Sequence, residues 1–127
     1  LRLQSDLVGL CNAALDGALD TAIAKWDPRP ALGVVLAAQG YPGSYHKGTP
    51  ISGLDAPQAE TVKVFHAGTA EKDGAVVTSG GRVLCVTALG DDIEAAQRHA
   101  YEAVAKIQWD GMTLRHDIGW RAVARYH

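Results

Sequence analysis

The run Arg82-Val83-Leu84-Cys85-Val86-Thr87-Ala88-Leu89, bounded by Ser79-Gly80-Gly81 on one side and Gly90 on the other, limits the fold more than any other stretch of this chain. After Arg82 its apolar residues occupy both alternating faces. A strand of that kind is stable only where neighbours cover it, so it belongs in the middle of a sheet. A glycine pair supplies the positive φ angles of a tight primed turn. The strand is therefore expected to form a hairpin with Ala75 to Thr78 about Ser79-Gly80-Gly81.

The same reasoning places Leu32 to Ala38 as a second inner strand ending at Gly40. Gly40 to Gly48 is dense in turn-forming residues and reads as a loop leaving that strand. Val62 to Ala67 reads as a further strand, followed by Gly68-Thr69 and a polar loop to Gly74. Asp91-Asp92-Ile93-Glu94 has the form of a helix start, with Asp91 as the cap and Glu94 at the reciprocal capping-box position. Ile93, Ala96, Ala100, Val104 and Ile107 make one apolar stripe, and the helix is expected to end near Trp109-Asp110-Gly111. Met112 to Arg121 has no clear period, and Ala122 to His127 reads as a short helical tail.

Ahead of these elements, Leu3, Leu7, Leu10, Cys11, Ala14 and Leu15 have helical spacing, with Ser5 or Asp6 able to cap. Gly17 interrupts that pattern, leaving Ala18 to Trp26 as a second short helix, and Asp27-Pro28-Arg29-Pro30 stops it. The expected architecture is an α+β domain over residues 31–127, a mainly antiparallel sheet with one packed helix, preceded by a helical segment over residues 1–30. The chain opens on Leu1-Arg2-Leu3 with no initiator Met and with a helical pattern already running, which predicts a piece of a longer protein.

Composition excludes several function classes. Twelve basic against 14 acidic residues, a net charge of -2, give no footprint for a nucleic acid. The apolar runs fall far short of the roughly 20 residues that span a bilayer, and no signal-like stretch is present, so a soluble cytoplasmic protein is expected. Cys11 and Cys85 lie in apolar surroundings without a paired spacing and read as buried thiols.

No nucleotide-binding, metalloprotease or serine-hydrolase motif occurs, and Lys47-Gly48-Thr49 has the wrong order for a phosphate loop. The 5 histidines are dispersed, so no metal site is expected from this chain alone. His66, at a strand end, is either hydrogen-bonded at the core's edge or a substrate contact. The glycines and proline around Tyr41 and Tyr45 suit either an ordinary connection or close backbone approach to a ligand. In Arg115-His116-Asp117-Ile118-Gly119-Trp120-Arg121 the arginine forks suit a phosphate or carboxylate, or else an Arg–Asp pair that anchors the tail.

Leu32 to Gly43, Lys63 to Thr69, Thr78 to Gly90 and Arg115 to Ala122 resemble, in this order, the closing domain of the phosphoribosylamine–glycine ligase family, also called glycinamide ribonucleotide synthetase. The stretch from Leu3 is similar to the helix before that domain, so residues 1–30 would belong to the preceding ATP-grasp region. The resemblance implies an ATP-grasp carbon–nitrogen ligase of purine biosynthesis. It joins phosphoribosylamine and glycine through a glycyl phosphate, with ATP and Mg²⁺ or Mn²⁺. The family's nucleotide lobes and its acidic metal ligands, with an Arg-Phe-Gly-Asp-Pro-Glu signature, lie upstream of the matching region. The chain alone is thus expected to bind neither cofactor, to hold no catalytic residue and to be inactive, with the remaining ATP-grasp and amino-terminal domains as its partners. Substrate-binding candidates implied by the family are Arg115, Asp117, Gly119 and Arg121, with Tyr41, Pro42 and Gly43 as a second wall. The alternative is a free-standing, non-catalytic binding module derived from such a domain.

Overall fold

The computed structural model describes residues 1–56 and 58–125. In chain order its elements are α1 (Leu7–Leu15), β1 (Ala31–Ala38), β2 (Val62–His66), β3 (Thr69–Lys72), β4 (Ala75–Thr78), β5 (Arg82–Leu89), α2 (Ile93–Val104), β6 (Met112–Leu114) and α3 (Trp120–Ala124). The architecture is the expected α+β type. A four-stranded antiparallel sheet has the order β2-β5-β1-β6, with β5 and β1 inside it as their sequences require.

One face of this sheet carries the core. Leu32, Val34 and Leu36 of β1 and Val86 and Ala88 of β5 meet Ala96, Ala100 and Val104 of α2, with Ile107 beyond the helix. This is the apolar stripe read from the sequence. The helix starts one residue later than expected. Asp92 rather than Asp91 is its cap, accepting from the Ala95 amide at 2.7 Å. It also ends earlier, at Val104, because the chain must turn back to lay β6 beside β1. The opposite face of the sheet is open. Val35 and Phe65 lie there at 43% and 42% exposure, next to Gly33, Cys85 and Thr87. Inner position in the ladder thus does not mean cover on both faces, and the apolar character of β1 and β5 exceeds what this chain alone buries.

The expected hairpin about Gly80-Gly81 does not form. β4 pairs with β3, and β5 pairs with β1 and β2. The polar stretch after Gly68 is itself strand β3, and the hairpin tip is Asp73-Gly74, both at positive φ, 53° and 77°. Such a two-residue turn matches the twist of the flanking strands. β2 and β3 therefore form one arm of a long hairpin, β4 and β5 the other, and the arms bend together at Gly68 and Gly80. The Ser79 and Gly80 amides both donate to Gly68 O, at 2.8 and 3.1 Å, while the Ala67 and Gly68 amides donate to Val83 O. A Cβ on Gly68 would lie 2.8 Å from the Gly80 Cα. Beyond the bend, β4 is claimed on its other edge by residues 48–51, through Gly48 N to Thr78 O, Thr78 N to Thr49 O and Ile51 N to Val76 O.

The leading segment is less helical than its pattern suggests. Asp6 caps α1, but Ala18 to Trp26 forms turns, not a second helix, because the chain must return so that Leu3 bridges Trp26. No residue of α1 is buried. Leu7, Val8, Leu15, Leu19, Ile23 and Trp26 are all exposed. At the junction, Asp27 is buried and accepts from the Arg29 amide at 2.9 Å and from both ends of its guanidinium at 3.0 and 2.7 Å. Tyr126 and His127 of the expected helical tail lie outside the described residues, and the tail helix α3 begins earlier than expected, at Trp120.

Two outcomes follow from this geometry. Gly68→Ala brings a methyl against the Gly80 backbone and should cost about 1–3 kcal/mol in a denaturant titration, as overpacking does. The loss should be accompanied by faster amide exchange in β3 and β4. The Arg29 guanidinium and amide, both bonded to the Asp27 carboxylate, hold that carboxyl below its ordinary 3.8, at about 2. Its contribution to stability is then complete above the unfolded value and is lost as pH falls through the folded one. The gap in melting temperature between the natural chain and Asp27→Asn should be constant above about pH 5 and close as pH approaches about 2.

Candidate functional site

The two segments implicated by sequence lie at opposite ends of β1. β6 pairs Leu114 with Leu36 and Met112 with Ala38, so the chain after Leu114 runs back toward the start of β1, where Gly119 sits against the Leu32 side chain. The Gly40 loop leaves the other end. At about 3.3 Å per residue, Leu32 and Ala38 are roughly 20 Å apart, and Tyr41 and the Arg115 to Arg121 segment line separate clefts.

At the first end, Arg115 and Asp117 form a two-point ion pair, Nε to Oδ1 at 2.9 Å and Nη2 to Oδ2 at 2.6 Å. The carboxylate raises the arginine's pKa, and the guanidinium lowers that of Asp117. The segment is latched to α2 from below. Tyr101 Oη donates to Arg115 O at 2.7 Å and accepts from the Ile118 amide at 3.0 Å, and Gln97 Nε2 donates to Ile118 O at 2.7 Å. Sequence reasoning missed both latching residues, because a polar group on a helix's solvent side looks the same whether or not a loop lies over it. Gly119 has φ 87° and opens α3, a backbone reason for glycine there. The Arg121 guanidinium stands 5.3 Å from the centroid of the exposed Trp120 ring, a cation–π arrangement.

At the second end, the loop folds back on the glycine corner. Tyr41 and Tyr45, ring centroids 6.5 Å apart, cover Gly81, where any Cβ would strike the Tyr41 ring. Pro42 follows a cis peptide bond and Gly43 packs within the loop against Gly40 O. Lys47 Nζ lies 5.8 Å from the Tyr45 ring centroid. Tyr41, Gly68, Gly81 and Arg82 line a cleft of about 450 Å³ with Val35 and Cys85, so it opens on the uncovered face of the sheet.

Of the other candidates, His66 is exposed and its Nδ1 is 2.9 Å from Thr69 Oγ1. Neither cysteine is buried as expected. Cys85 is partly exposed because it lies on the open face, and Cys11 is exposed because nothing described covers α1. Among the described residues no group of three or more His, Cys, Asp and Glu could hold a metal ion, and no helix is long and apolar enough to cross a membrane.

A family model described as the C domain of phosphoribosylglycinamide synthetase matches residues 31–121. The chain belongs to this family. It is 58% identical to the phosphoribosylamine–glycine ligase of Vibrio parahaemolyticus and 61% identical to that of Pseudomonas syringae pv. tomato, each over 125 residues. These alignments cover 98% of this chain and 29% of each relative. The crystal structure of the Thermotoga maritima phosphoribosylamine–glycine ligase matches with a TM-score of 0.67 at 43% identity, over 87% of this chain and 27% of that one. The chain thus spans less than a third of the length of the ligases it matches and corresponds to their C domain. The matched region starts at Ala31, the first residue of β1.

The Arg115–Asp117 pair is solvent-exposed, with side chains 72% and 48% accessible, and exposed pairs add little to stability. Arg115→Gln should leave the melting temperature nearly unchanged. In the same variant, carboxyl NMR should show the Asp117 titration moving up toward the ordinary aspartate range. An unmoved midpoint would mean that the pair does not persist in solution.

Proposed function

We propose that the chain serves as the closing domain of a full-length ligase that joins phosphoribosylamine and glycine at the expense of ATP. The observation that carries this reading is the near-complete coverage of the chain by ligases of that name at about 60% identity, while it accounts for 29% of their length. Two structural features support it. The open face of the sheet and the bare apolar side of the leading segment are surfaces that a larger protein would cover, since contiguous exposed apolar groups mark interaction sites. Residues 1–30 then belong with the preceding ATP-grasp region, and 31–127 form the domain itself.

In this reading ATP and its Mg²⁺ or Mn²⁺ are held by the lobes outside this chain. The described residues offer no donor cluster for a divalent cation, and phosphoryl transfer needs one to stabilise the developing charge. The domain contributes a wall of the site instead, with the Gly40 loop and the Arg115 to Arg121 segment as the two candidate surfaces. Of these, the loop is the stronger. Each borders a cleft, of about 450 and 430 Å³, but Arg115 already has its fork filled by Asp117, and an arginine so paired must give up that partner before it can take a substrate oxyanion.

The test is a comparison of two proteins. The full-length ligase should form glycinamide ribonucleotide with ATP hydrolysis, and the 127-residue chain should do neither. Product from the short chain would overturn the division of labour proposed here. A full-length protein without ligase activity would instead favour a non-catalytic binding role.

A further inference from the structure

We infer that Arg82 is the side chain through which this domain receives an oxyanion of the ligase's substrates, in the cleft between Tyr41 and the Gly68–Gly80 corner. The inference rests on the ligase reading and adds to it a residue that neither the motif search nor the family resemblance singled out. Most other arginines are committed or stand away from the cleft. Arg29 and Arg115 are neutralised by aspartates, Arg2 donates to Asp27 O, and Arg121 lies over Trp120. Arg98 is exposed on α2, which packs against the other face of the sheet. Arg82 is exposed, lines the cleft, and has no ion-pair or side-chain hydrogen-bond partner among the described residues.

Its surroundings suit a ligand better than they suit a structural role. The floor beside it includes the glycine pair Gly68 and Gly80, whose near neighbours are backbone atoms, so a ligand meets main chain there and not side chains. Tyr41 supplies a half-exposed wall with an apolar body and a polar tip. A guanidinium presents its donors in a flat fork that matches a carboxylate or a phosphate. Position is also well determined. Arg82 opens β5 opposite Ala37, and its own carbonyl lies at the corner where a Cβ on Gly68 would strike it. The fork is therefore mounted on a paired strand residue rather than on a free loop.

Three substrates of such a ligase carry an oxyanion: the phosphate of phosphoribosylamine, the carboxylate of glycine and the polyphosphate of ATP. Steady-state kinetics of the full-length protein, varying each in turn, separates them. Arg82→Gln should raise the KM of one substrate by roughly tenfold or more, the size expected for losing a charged hydrogen bond, and leave the other two within about twofold. Arg82→Lys should recover part of the loss, and Arg98→Gln, the same charge change on α2, should behave as the natural enzyme. The substrate whose KM moves identifies the anion. Unchanged KM values for all three, in a variant that melts with the natural protein, overturn the assignment while the ligase reading stands. An inactive natural full-length protein overturns the ligase reading itself and this inference with it. Should Arg82→Gln melt low, Arg82→Lys decides: a KM shift confined to one substrate at natural melting temperature supports the assignment, and none refutes it.

Discussion

The backbone contact between Gly68 and Gly80 is the constraint on which the rest of this domain depends. A single long hairpin contributes β2 and β5 to the main sheet and β3 and β4 to a separate two-stranded sheet. Such a division needs both arms to bend at the same level. Bending them together requires an approach that leaves no room for a β-carbon on Gly68 and only a tight fit for one on Gly80. The amides of Ser79 and Gly80 converge on one carbonyl, Gly68 O, and the amides of Ala67 and Gly68 converge on another, Val83 O. Four amides at the corner thus keep backbone partners, which lowers the cost of a bend in a partly buried place.

Consequences spread outward from that corner. Because the outer arm is directed away, β4 offers its free edge to residues 48–51, and this ties the far end of the loop that begins at Gly40. The near end is fixed by Tyr41 and Tyr45 on Gly81, and by Ala38 N donating to Gly81 O at 2.8 Å. A loop that composition alone leaves floating is in fact held at both ends by the same feature. The cleft, its aromatic wall and its arginine all sit at the place where the two sheets part.

How much of this could be read from the sequence depends on the range of the interaction concerned. The inner position of β1 and β5 and the apolar stripe of α2 are local patterns of hydrophobic period, and the fold agrees with both, whereas no helix runs into Asp27-Pro28-Arg29-Pro30 for it to stop. The hairpin tip is ambiguous in the sequence for a definable reason. Gly80-Gly81 and Asp73-Gly74 both have the chemistry of a tight turn, and only the pairing of β3 with β4 decides that the second is the tip. Glycine at a corner and glycine at a turn leave the same mark in a sequence. The cap of α2 slipped by one residue, because Asp91 and Asp92 are equivalent as side chains and differ only in where the strand before them ends. The cysteines went wrong through the assumption that apolar neighbours in sequence imply cover in space.

The open face of the sheet also bears on the site. The inner strands are apolar on both faces, yet among the described residues a helix packs on one alone, which leaves the other without a covering layer. The cleft at the glycine corner opens on that uncovered face, whereas the Arg115–Asp117 pair lies off the edge of β6, clamped to the helix that covers the other. If the missing layer is the remainder of the ligase, whatever it encloses against this domain is enclosed against Val35, Tyr41 and Arg82. The Arg115 to Arg121 segment is fastened to α2 through its main chain, at Arg115 O and at the amide and carbonyl of Ile118, so the fastening leaves its side chains unexplained. Two arginines that look alike in a one-dimensional reading are thus distinguished by a single physical criterion, whether the guanidinium already has its carboxylate.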